Sequence, residues 1–147
     1  MIAGVLKPTS GDAYSGGVVM SENLSQWRSR IGYSLQDHRV LGVMTAVETL
    51  YLLARLRGVP EESIARCVQA MVKLVDLEKS STVMCRSLSA INRRKLAMAM
   101  ALIGIPPLVL LDEPTSGMDV FTRRKIFAFV NAIRNAAGTS FLMTSHE

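Results

Sequence analysis

Two adjacent carboxylates, Asp112 and Glu113, close the aliphatic run Leu108-Val109-Leu110-Leu111 and are followed at once by Pro114. A short apolar run ending in charge predicts a strand buried on both faces. Pro114, with no N–H to give a ladder, stops it. In a parallel α/β sheet, ligands gather outside the carboxyl ends of the strands. A pair of acids there suits phosphoryl transfer: one carboxylate holds Mg²⁺, directly or through water, and the other poises a water for attack. Two further groups stand at predicted strand ends. Gln36 closes the stretch Arg30–Gln36, and its amide oxygen can reach Mg²⁺ or a water. His146 follows Phe141-Leu142-Met143-Thr144, where an imidazole can contact a terminal phosphate and register its presence.

The elements that must carry these groups follow from periodicity. Asp12 to Met20 reads as short strands around the Gly16-Gly17 turn, and Leu24 to Arg28 as one helical turn. Thr45 to Arg57 places Val47, Leu50, Leu53 and Ala54 at helical spacing, with Thr45 and Glu48 forming a capping box. Gly58-Val59-Pro60 ends that helix. A second helix runs from Glu61 to Leu77, with Ile64, Cys67, Val68, Met71, Leu74 and Val75 on one face and two glutamates in its first turn, where the helix dipole favours acids. Ser87-Leu88-Ser89 caps a third, which reaches about Ile103. Ser116-Gly117-Met118-Asp119 is a tight turn into a fourth, Phe121 to Ala136, ended by Ala137-Gly138. Ser140 to Thr144 is the last strand. The order predicts an α/β domain with a helical insert from about His38 to Ser87.

Composition narrows the function classes. The chain of 147 residues is long enough for one domain with a sizeable core. Its 49% hydrophobic content and mean hydropathy of +0.26 prompt a search for a membrane span. The longest uncharged apolar stretch, Leu96 to Leu111, is too short for one and is interrupted by Gly104, Pro106 and Pro107. The apolar start Met1 to Leu6 is too short for a signal peptide, so secretion is not expected. Two cysteines, Cys67 and Cys85, give no disulfide framework and no zinc pattern. The net charge of +5 comes from scattered basic residues, and with three Tyr and one Trp there is little for base stacking, so no nucleic-acid partner is expected.

Taken together, the motifs resemble a known family. Leu110-Leu111-Asp112-Glu113-Pro114-Thr115-Ser116-Gly117-Met118-Asp119 looks like the Walker B motif and D-loop of an ATP-binding-cassette (ABC) ATPase. Tyr33-Ser34-Leu35-Gln36 resembles the Q-loop, with Leu35 where family members often carry Pro. Thr144-Ser145-His146 resembles the H-loop. Leu88-Ser89-Ala90-Ile91-Asn92-Arg93 aligns with the signature Leu-Ser-Gly-Gly-Gln-Arg. There Asn92 takes the Gln place, and Ala90 and Ile91 replace two glycines that let backbone approach phosphate closely. Ser10-Gly11-Asp12-Ala13-Tyr14 and Ala54-Arg55-Leu56-Arg57-Gly58-Val59-Pro60-Glu61 look most like subfamily A, the full-size lipid exporters. The resemblance covers almost the whole chain, but no G-x-x-x-x-G-K-[ST] loop occurs in it. Met1-Ile2-Ala3-Gly4 is similar to the end of the helix that follows that loop. The expectation is therefore a P-loop NTPase fold of the ABC type with an inserted α-helical subdomain, incomplete at its N-terminus.

The resemblance implies roles and partners. ATP and Mg²⁺ are the cofactors. Gln36 and Asp112 would contact Mg²⁺, and Glu113 would polarise the attacking water. Gln36 and His146 would sense the γ-phosphate, and Asp119 would communicate across a dimer. Ser89, with Asn92 beside it, would cap a helix whose N-terminus faces the ATP held by the opposite subunit. Residues 1–37 would form the strand-rich part up to the Q-loop, 38–95 the helical subdomain and signature, and 96–147 the core with Walker B, D-loop and H-loop. The implied partners are a second nucleotide-binding domain in a head-to-tail dimer and the transmembrane domains of the same transporter, through which a lipid-like substrate moves. That places the chain at the cytoplasmic face of a membrane. Glu113 argues for hydrolysis; Ala90 and Ile91 argue for a degenerate, regulatory cassette. A soluble ABC-type ATPase of DNA repair is the third reading.

Overall fold

A computed structural model of the chain describes residues 2–34 and 40–145. Its centre is a parallel three-stranded sheet in the order β3-β4-β5, with β3 at Ile31–Ser34, β4 at Leu108–Asp112 and β5 at Ser140–Thr144. The register sets Ser34 beside Leu111, and Leu111 and Asp112 beside Met143 and Thr144. β4 is thus the central strand, and Val109, Leu110 and Leu111 are all buried, as a strand covered on both faces requires. A separate hairpin, β1 (Tyr14–Ser15) with β2 (Val18–Val19), turns through Gly16-Gly17 as predicted.

Alternate residues of β4 feed two cores. Val109 and Leu111 join the larger one, beneath helices α2 (Ala46–Leu56), α3 (Glu61–Leu74), α4 (Ala90–Leu102) and α5 (Val120–Ala137). Leu110 faces the other way, onto Trp27 of helix α1 (Leu24–Ser29) with Val18, Met20 and Ile31. The Trp27 indole N–H donates to the Ile2 carbonyl at 2.8 Å, which closes the N-terminal segment over this second core. That segment runs through turns and bends, with Gly4 at φ 70°, where the resemblance suggested a helix end.

Local chemistry explains the helix limits. The capping box at Thr45 and Glu48 forms in both directions. α3 stops at Leu74, three residues short of the predicted Leu77, because Asp76 turns left-handed at φ 54° and sends Leu77 back into the core. α5 starts at Val120 on the Asp119 cap and ends on left-handed Gly138. α4 is continuous through the 95/96 junction that separated insert from core in the sequence reading.

Two contacts lock α2 and α4 to the sheet. Arg57, the C-cap of α2, reaches across half-buried and donates to the Ile31 carbonyl at 2.8 Å, at the edge of β3. Desolvation lowers its pKa below the usual arginine value. Gly32 lies directly under α4: a Cβ there would stand 1.8 Å from the Ala101 carbonyl oxygen, so only glycine fits. Among the described residues, no helix is long and apolar enough to cross a membrane.

Candidate functional site

The acid pair sits where the sequence places it, at the carboxyl end of the central strand. Asp112 is the last residue of β4, and Glu113 leaves it at φ 47°, so a left-handed residue ends the strand one position before Pro114. A non-glycine residue in that region carries local strain, a feature that clusters at functional sites.

What holds the pair is Thr144, which the H-loop resemblance includes but gives no role. In the β4–β5 register it stands beside Asp112. Its hydroxyl donates to Asp112 Oδ1 at 2.5 Å and accepts the Glu113 N–H at 3.1 Å. One side chain on the neighbouring strand therefore fixes the Asp112 carboxylate and the Glu113 backbone together. The signal was present as a lone hydroxyl ending an apolar strand, but only the register shows that it meets the acids.

A cleft of about 280 Å³ opens beside this group, lined by Tyr33, Leu110, Asp112, Leu142, Thr144 and the N-terminal Ile2 and Ala3. Burial, and secondarily the charge of Asp112, push the Tyr33 phenol above its ordinary pKa, so it stays a neutral hydroxyl on the wall. The donor set is hard oxygen: a carboxylate and a hydroxyl at a strand end. Among the described residues no three His, Cys, Asp or Glu gather into a cage. Mg²⁺ commonly takes one or two carboxylates and completes its shell with water and phosphate oxygens, so these residues fit that ion.

The loop after the acids is tightly built. Ser116 N–H donates to the Glu113 carbonyl at 3.3 Å and Met118 N–H to the Thr115 carbonyl at 3.1 Å, with Thr115 and Met118 buried. Asp119 caps α5, accepting from the Phe121 and Thr122 N–H groups, each at 3.0 Å, and from the Thr122 hydroxyl at 2.6 Å. The Thr122 hydroxyl and these amides hold its carboxyl below the usual aspartate range. Arg94 of α4 donates to the Ser116 carbonyl, which ties the second turn of that helix to the loop.

Ser89 and Asn92 lie apart from the acids, at the start of α4. Ser89 Oγ accepts the Asn92 N–H at 3.1 Å, and Asn92 Nδ2 donates to Ser80 Oγ at 3.0 Å. Their side chains serve the helix cap and the turn at Glu78–Ser80, while Ile91 is exposed. Gln36 and His146 lie outside the described residues.

The model of the ABC transporter family matches residues 1–116. The chain belongs to the ABC transporter family. Its fold agrees: it superposes on the post-hydrolysis dimeric ATP-binding cassette MJ0796 bound to ADP and Pi with a TM-score of 0.88, at 24% identity, covering 99% of this chain and 67% of that one. A second dimeric structure of MJ0796, a bacterial ABC transporter cassette, gives 0.87 at 23% identity, covering 99% and 66%. Over its full length this cassette segment is 40% identical to human phospholipid-transporting ATPase ABCA3, and 42% identical to human retinal-specific phospholipid-transporting ATPase ABCA4. Mouse ATP-binding cassette sub-family A member 7 is 36% identical. The chain spans 9%, 6% and 7% of those relatives, respectively. Its similarity to these sub-family A members runs over its full length.

Proposed function

We propose that this segment forms the water-activating half of a nucleotide site that hydrolyses ATP to drive phospholipid movement across a membrane. The observation that carries this reading is the acid pair clamped by Thr144 at the carboxyl edge of the central parallel strand. Asp112 would hold Mg²⁺ in a geometry set by the Thr144 hydroxyl. Mg²⁺, when bound, offsets the charge on the phosphoryl oxygens. Glu113, leaving the strand in a left-handed turn, would orient the attacking water and accept its proton. Gln36 and His146 would sense the terminal phosphate.

Arg94 would tie this site to α4, whose Ser89 end would close on the nucleotide of a second cassette in a head-to-tail dimer, and Asp119 would communicate across that dimer. The transmembrane domains and the lipid-like cargo come to the proposal from the named relatives, and with them the cytoplasmic face of the membrane. The domain division at 37/38 and 95/96 is part of the same reading. Without a Gly-rich phosphate loop in these 147 residues, the segment alone is expected to bind ATP weakly.

The first test is to sequence the transcript across the 5′ side of the Met1 codon, then assay the complete product with Glu113→Gln. Hydrolysis falling by about a hundredfold or more, with ATP binding retained, is the expected result. Hydrolysis unchanged in that variant would overturn the assignment. A second reading, a regulatory cassette, draws support from Ala90 and Ile91 and from the Asn92 amide engaged by Ser80. Under the hydrolytic reading, Ala90→Gly with Ile91→Gly raises turnover; a folded double variant with unchanged turnover favours the regulatory one.

A further inference from the structure

A second cavity lies among the helices, apart from the cleft at the end of β4. It measures about 310 Å³ and opens between the end of α3, the middle of α4 and the first half of α5. Its apolar wall is built by Val75, Met98, Ile126 and Phe129. That volume is at the lower end of small-molecule pockets.

The rim carries two lysines and one aspartate, a net positive charge. Lys95 crosses from α4 to Asp76, donating to its carboxylate at 3.0 Å and to its carbonyl at 3.1 Å. The Lys95 side chain is largely buried by this crossing, and Asp76 is thereby committed. Lys125, on the α5 side, carries its ammonium 4.8 Å from the Phe121 ring centroid. The bond from Lys95 and its charge, then the more distant Lys125 and Lys79, hold the Asp76 carboxyl below the usual range. Two ammonium groups, Lys95 and Lys125, therefore stand with one carboxylate on the lining of an apolar hollow. An isolated apolar surface cleft would take any hydrophobe; this one favours a molecule whose polar end is negative.

We propose that the α3–α4–α5 pocket binds an anionic amphiphile, a medium-chain fatty-acid-like carboxylate, with its head on Lys125 and its chain against Met98, Ile126 and Phe129. Lys95 stays with Asp76 and closes one end. Ala128 lies on the lining and is exposed, so a large side chain there fills the hollow from outside without entering the core.

The test uses the 147-residue chain and decanoate below its micelle concentration, followed by methyl resonances of Met98 and Ile126. Saturable shifts at those two residues are expected. Lys125→Gln should weaken binding roughly tenfold, and neutral decanol should bind at least as poorly as decanoate does to that variant. Ala128→Trp should abolish the shifts while circular dichroism and the melting midpoint stay those of the parent. Shifts that never saturate, decanol binding as tightly as decanoate, or undiminished binding to a folded Ala128→Trp variant would each overturn the proposal. Should Ala128→Trp fail to fold, the decanoate–decanol pair and Lys125→Gln, an exposed position, decide it alone.

Discussion

The end of β4 and the start of α4 both present polar groups where a phosphate chemistry would want them, yet they are held in opposite ways. Asp112 and Glu113 are positioned from outside their own strand, by the Thr144 hydroxyl one strand over. Ser89 is engaged by its own helix's amide, and Asn92 by the Ser80 hydroxyl of an earlier turn. A group fixed by sheet register keeps its direction as long as the sheet exists. A group fixed by a local cap can be redirected by fraying one turn. The strand end therefore suits a site that must be preorganised, and the helix end suits one completed by something that arrives.

The contrast can be broken from below. Gly32→Ala forces a methyl onto the Ala101 carbonyl, and since backbone stands on both sides it should cost at least about 3 kcal/mol or prevent folding, read from urea unfolding. Both regions fail together in that variant. Thr144→Val separates them: it keeps the shape, removes both bonds to the acid pair, and should cost roughly 1–2 kcal/mol, with Thr144→Ser near the parent. Amide shifts should then move at Asp112 and Glu113 and not at Ser89. Ser89→Ala is the converse, costing about 1 kcal/mol with increased hydrogen exchange confined to the first turn of α4. If Ser89→Ala disturbs the acids as much as Thr144→Val does, the distinction is lost.

Smaller effects sharpen the picture. The Asp119 and Glu48 carboxyls are held below their ordinary values, the first chiefly by the Thr122 hydroxyl, the second by the Thr45 amide. A depressed folded pKa contributes stability that is present above the unfolded value and lost as pH falls through the folded one. The melting midpoint should therefore decline below about pH 4, and Asp119→Asn, which keeps a capping oxygen, should flatten part of that decline. Last comes Arg55→Ala. Its pair with Glu61, at 2.6 Å but solvent-exposed on both sides, should leave the midpoint almost unmoved.

Much of the fold was legible because its signals are local. The Thr45–Glu48 box, the Leu108–Leu111 run, the Ser89 cap and Gly138 each state their structure within a few residues. The α3 end was misplaced because Val75 and Leu77 continue the apolar pattern, while the left-handed turn at Asp76 leaves no compositional trace. The acids of the candidate site were legible as a motif, but Thr144 and Arg94 were not. Each acts on a partner far along the chain, Asp112 and Ser116 respectively, and periodicity carries no information about which strand or loop a side chain will face.

The bare backbone of Gly32 against Ala101 also says something about mechanics. With no side chain between them, strand and helix have no lubricating layer of rotamers through which to slide. The C-terminal half of α4 and β3 must then travel as one rigid lever. A swing of α2 and α3 relative to that lever would have to break, or carry with it, the bond from Arg57 to the first residue of β3.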